Sequence, residues 1–165
     1  MHYFILAVLL FLSLTLETTV FDLFTFYGAK PDFLLILVLF YALFRGSIAG
    51  AKIGFIFGLA EDLLLGRFVG LNAATKMLIG YLAGFGERKL FKDNLILPLL
   101  VVFIGSILSH LIYIFFFSLV SGLNQFILFR QFALPLAAYN SLMGFIIYKP
   151  FSKYMTREFT SHRFK

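Results

Sequence analysis

The sequence predicts an all-α integral membrane protein, a bundle of six transmembrane helices with both termini on the cytoplasmic side. Three observations lead there. Apolar residues make up 61% of the 165 and charged residues only 13%, with a mean hydropathy of +0.97, whereas a soluble domain lies near half apolar and a quarter charged. The 24 Phe cannot all be buried in a domain of this size, so they face something other than water. The apolar residues also fall into separate runs divided by glycine, proline and charge.

The first run, 3–25, begins with "MHYFILAVLLFLSL". It has no basic segment before it and no small-x-small cleavage site after it, and reads as a retained span rather than a signal peptide. The second, 31–44, opens at Pro31, a residue suited to a first helical turn. Its apolar core from Phe33 to Phe44 covers about 18 Å, short of a bilayer core of roughly 30 Å. It either recruits Phe26 to Ala29 or is packed where the membrane is locally thin, and a re-entrant segment is the alternative. "FRGS" starts the third run at 46–65, "GRFVG" the fourth at 70–86, "ERKLFKDN" the fifth at 95–121, and "SGLNQ" the sixth at 127–149. Residues 1–150 thus form the membrane domain and 151–165 a basic cytoplasmic tail.

Charge favours six crossings over five. Arg45, Arg88, Lys89, Lys92, Lys149, Lys153, Arg157, Arg163 and Lys165 then lie inside, against Lys30, Arg67 and Arg130 outside, a positive-inside bias. The net charge of +6 is thereby read as membrane orientation, not nucleic-acid binding.

Gly46, Gly50, Gly54 and Gly58 make three overlapping GxxxG steps on the third span, and Lys76, Gly80 and Gly84 repeat the device on the fourth. Such steps let helices approach closely in lipid. A charge within a span is costly and takes a partner. Antiparallel pairing places Asp62 and Lys76 at similar depth, so they are expected to pair, with Glu61 competing. Glu17 and Asp22 on the first span, with Lys30 and Asp32 after it, make the outer half polar. That polarity reads as a cavity open to the outside or, more plainly, as interfacial residues. His110 and Asn140 read as hydrogen-bonding across helices, Pro135 as a kink and Lys52 as a snorkelling lysine.

Catalytic chemistry is missing from the pattern. There is no cysteine, and His2, His110 and His162 have no metal-ligand spacing. "GFGERK" lacks the strand and spacing of a phosphate loop. Glu61 and Asp62, being adjacent, point about 100° apart on a helix and cannot converge on one atom. No enzyme, cofactor or metal is expected. In the tail, Lys149, Lys153 and Arg157 are expected to meet the anionic inner leaflet, with Phe151 and Met155 dipping into it.

Residues 30–84 carry a resemblance. Pro31–Asp32 opening a span, Arg45–Gly46, and "GFIFGLAEDLLLGRFVGLNA" with Asp62, Gly66, Gly70 and Asn72 resemble the bacterial rod shape-determining MreD family. The resemblance implies a non-enzymatic inner-membrane subunit of the cell-elongation complex, binding MreC and working with MreB, RodA and a penicillin-binding transpeptidase in lateral peptidoglycan synthesis. It also implies a fold similar to the S components of energy-coupling-factor transporters, hence the alternative of a subunit binding a small solute. Against that, Ala7 is followed by Phe11 where those subunits have an Ala-x-x-x-Ala docking motif. On the preferred reading, MreC packs on the Gly46–Gly58 or Gly80/Gly84 face, and Glu17, Asp22, Glu61 and Asn72 are candidate contacts for a partner or for a ligand in the outer cavity.

Overall fold

A computed structural model of the chain describes residues 2–19, 30–65, 68–86, 96–122 and 126–162. Among them are six helices and no strand: α1 (His2–Thr19), α2 (Phe33–Arg45), α3 (Ser47–Leu65), α4 (Leu71–Ala83), α5 (Ile96–Ser121) and α6 (Phe126–His162). Of these, α5 alone is both long and apolar enough to cross a bilayer by its own composition. At 26 residues it extends about 39 Å, whereas the 13 residues of α2 extend about 20 Å.

The short helix occupies the centre. Every residue of α2 from Leu34 to Phe44 is buried, as an all-round apolar helix requires. Asp32 starts it by accepting the Leu35 amide at 2.7 Å, and Gly46 ends it at φ +86° with its amide on the Ala42 carbonyl. Only glycine takes that backbone conformation without strain. Gly46 therefore turns the chain from α2 into α3, and a Cβ there would meet no neighbour. It does not belong to the packing stripe in which the four-residue spacing put it.

The other five glycines meet in one seam. A methyl on Gly50 would overlap the Gly80 carbonyl and Ala42, one on Gly54 the Lys76 carbonyl, and one on Gly58 the Asn72 carbonyl. From α4, Gly80 abuts the Gly50 backbone and the cap residue Gly84 abuts Ser47. Both small-residue faces are thus consumed by α3 and α4 packing on each other. Neither remains for a partner's membrane helix, because backbones this close leave no groove to enter. The expectation that MreC docks on these glycines is corrected accordingly.

The far end of the core is aromatic. The Phe40 ring meets Tyr148 edge-on at 5.3 Å and Phe151 at 5.9 Å, and Phe44 meets Phe151 at 6.2 Å. Phe151 and Met155 belong to the buried core, at 6% and 0% exposure. They do not dip into lipid, and α6 runs past Pro150 without a break at the expected domain boundary.

Gly54→Ala and Gly58→Ala should each destabilise the protein by about 1–3 kcal/mol, the usual range for overpacking. Gly46→Ala should also destabilise it, but through backbone strain, by about 1–2 kcal/mol. Thermal unfolding in detergent measures both. A Gly54→Ala protein as stable as wild type would contradict the seam.

Candidate functional site

Near the N-terminal end of α2, five helices converge on a polar network. Lys76 of α4 reaches it with a fully buried side chain, 2% exposed. Side chains on a helix lean toward its N-terminus, so the ammonium lies beyond the seam, at the level of Asp32. Nζ donates to Asp32 Oδ2 at 2.6 Å and stands 2.6 Å from Glu61 Oε2. The first contact is an aligned hydrogen bond. The second is a charge contact at the same distance.

Asp32 works on three sides. Its Oδ1 caps α2, its Oδ2 takes the lysine, and its own amide donates to Asn140 Oδ1 on α6 at 2.8 Å. Asn140 Nδ2 then donates to Ser106 Oγ on α5 at 2.9 Å, and Ser106 donates to the Val102 carbonyl at 2.7 Å. Asn140 and Ser106 are wholly buried, so each bond replaces one that water cannot supply. The expected role of Asn140 as a cross-helix hydrogen bonder has partners here.

Asp62 does not pair with Lys76, and that expectation is corrected. Its carboxylate accepts the amides of Gly70 at 2.8 Å, Ala73 at 3.0 Å and Asn72 at 3.1 Å. Gly70, the N-cap residue of α4 at φ +105°, has no side chain to cap with. The orphan amides of the first turn therefore go to a carboxylate eight residues upstream, where the helix dipole also favours negative charge. Similar depth did place Asp62 near α4, but three amides satisfy it before the lysine does. Glu61, one residue earlier and about 100° round the helix, takes the lysine instead of facing outward for a ligand.

The remaining candidates are dispersed. Asn72 enters through its backbone amide. Glu17 lies on α1 and Arg157 on α6, but their side chains, like all of Asp22, lie outside the described residues. Lys149 and Lys153 are exposed on α6, far from the network. Sequence reasoning placed Asp32 in the polar outer half and at the opening of the second span, but did not make it the partner of Lys76. Its signal was available: an Asp after a proline and before an apolar run is an N-cap pattern, and a buried lysine needs a carboxylate.

Among the described residues the cluster holds two carboxylates and one ammonium: the Asp32 side chain is 23% exposed and that of Glu61 15%, against 2% for Lys76. Its evident capacity is to tie helices together. Comparison with known proteins adds one finding. The family model for rod shape-determining protein MreD matches residues 1–158. No curated protein and no solved structure matches the chain.

Lys76→Met should cost about 3–5 kcal/mol, because it strands buried carboxylates. Combining it with Asp32→Asn should reveal a coupling of about 1 kcal/mol or more, whereas combining it with Asp62→Asn should be additive within about 0.5 kcal/mol. Unfolding of the single and double variants measures both cycles, and the opposite ranking would restore the Asp62–Lys76 pair.

Proposed function

The chain belongs to the MreD family of rod shape-determining proteins, and on that premise we propose that it is a non-enzymatic, multi-pass inner-membrane subunit of the cell-elongation complex. In this reading it binds MreC and, through it, supports lateral peptidoglycan synthesis with MreB, RodA and a penicillin-binding transpeptidase. The match over residues 1–158 is the observation that carries the proposal.

The architecture supports a role in assembly. The polar network ties α2 through α6, and the glycine seam locks α3 on α4. A body held this way offers fixed outer faces to a partner, at little ordering cost on binding. Since the glycines are internal, the MreC helix is assigned to an exposed apolar face instead.

Six crossings with cytoplasmic termini remain our proposed topology. In its favour, three of the four exposed described lysines, Lys52, Lys149 and Lys153, lie away from the level of Asp32, Glu61 and Asp62, and Lys30 alone is beside it. The short α2 and α4 are accommodated because α2 is enclosed by protein and need not match the bilayer. A solute-binding subunit is the second reading, favoured by one feature, the partial exposure of the Asp32 and Glu61 carboxylates.

Affinity purification from gently solubilised membranes should recover MreC with the protein, and depletion should turn rods into spheres that the wild-type gene restores. Recovery of a tightly held small molecule in place of MreC would favour the solute-binding reading. A reporter fused after Lys165 should be active only in the cytoplasm, and activity outside would overturn the topology.

A further inference from the structure

The lysines of α6 have no role in the network or the seam. Lys149 and Lys153 are one turn apart, about 6 Å along the axis, and both are exposed. Neither makes an ion pair or hydrogen bond with a described residue. Every carboxylate with a described side chain, namely Asp32, Glu61 and Asp62, lies in or beside the network, which meets α6 at Asn140, nine residues or about 14 Å along the helix from Lys149. None of these three is therefore at hand as a counter-charge.

What lies below the lysines is equally specific. Leu142, Phe145 and Ile146 are 57%, 53% and 61% exposed. At spacings of three and four residues they share one helix face with Lys149 and Lys153. This face is apolar for about one turn and then cationic for one. The opposite face is fixed: Tyr148, Phe151 and Met155 are buried, with two of those rings against Phe40. The lysines are thus presented by an anchored helix, not by a loose tail.

Their depth also fits a membrane boundary. Tyr148, beside Lys149, is level with Phe40. On α3, Gly50 abuts Ala42, which puts the exposed Lys52 near the same level. From Lys52 to Glu61 is nine residues, about 14 Å along the helix. The cationic level and the carboxylate level are therefore distinct.

We propose that the Leu142–Lys153 face of α6 is a binding site for an anionic phospholipid of the inner leaflet. Lys149 and Lys153 bracket its phosphate, and its acyl chains lie along Leu142, Phe145 and Ile146. The occupant is amphiphilic because the face is: an acidic soluble protein would leave the apolar half uncovered, and a zwitterionic lipid would leave the lysines uncompensated. The proposal rests on the membrane-spanning reading, not on the assignment to the elongation complex.

The full-length protein is purified in micelles containing equal amounts of phosphatidylglycerol and phosphatidylcholine, and the co-purified lipid is quantified. Wild type should enrich phosphatidylglycerol. With up to about fivefold expected per lysine near an anionic surface, Lys149→Gln/Lys153→Gln should lose about an order of magnitude of that preference. Lys149→Arg/Lys153→Arg should keep it. Undiminished enrichment in the glutamine variant, or equal displacement of the lipid by inorganic phosphate, would overturn the proposal. So would an acidic cytoplasmic protein that occupies the lysines while lipid preference is unchanged. Both variants should enter phosphatidylcholine bilayers like wild type, and failure of every form to enter them would instead defeat the membrane-spanning reading.

Discussion

Burying one ammonium governs this fold. Moving a charge of that size out of water costs several kcal/mol even after relaxation, and a membrane offers no solvent to reduce the cost. Lys76 is tolerated because Asp32 and Glu61 each stand 2.6 Å away. Those contacts hold only if the start of α2, the last turns of α3 and the middle of α4 keep their places. Asp32 then transmits the constraint, since its amide is committed to Asn140 and Asn140 to Ser106. In hydrocarbon, helices gain little from apolar contact alone, so a polar tie of this kind selects one arrangement among many of similar packing energy.

The seam between α3 and α4 is the precondition. Lys76 can reach the level of Asp32 only because its own backbone lies against Gly54, where any side chain would intrude. The closeness of the two helices also brings Asp62 within reach of the α4 amides. The Gly70 cap and the distant carboxylate are therefore complementary: glycine permits the turn, and Asp62 supplies the acceptor that glycine lacks. The three acidic residues with described side chains thus divide two duties. Asp62 caps α4, Glu61 balances charge, and Asp32 does both for α2 and Lys76.

For a subunit whose proposed task is to hold partners in register, such internal commitment is informative. Its small residues and most of its described buried charge are spent within the chain, and its exposed surface is apolar, with exposed lysines on α3 and α6. On the proposed reading, contacts with other membrane proteins depend on the shape of the apolar faces, and contact with the leaflet on the lysines. Because these surfaces are separate on α6, where Tyr148, Phe151 and Met155 face inward and Lys149 and Lys153 outward, one can change without disturbing the other.

The sequence alone carried the all-helical class, the start of each helical segment and the family, because hydropathy, glycine spacing and the "AEDLLLGRFVGLNA" pattern are local properties. It also determined that α3 and α4 approach closely and that Asp62 and Lys76 need partners. Which residues those partners are depends on how the helices pack. Asp32 is 44 residues from Lys76, and Asn140 is 108 residues from Asp32, separations at which spacing carries no information. The same holds for α2, whose shortness suggested a weak span but whose position makes it the core. An apolar helix reads alike whether lipid or protein surrounds it, and the difference lies in what packs around it, which no local pattern records.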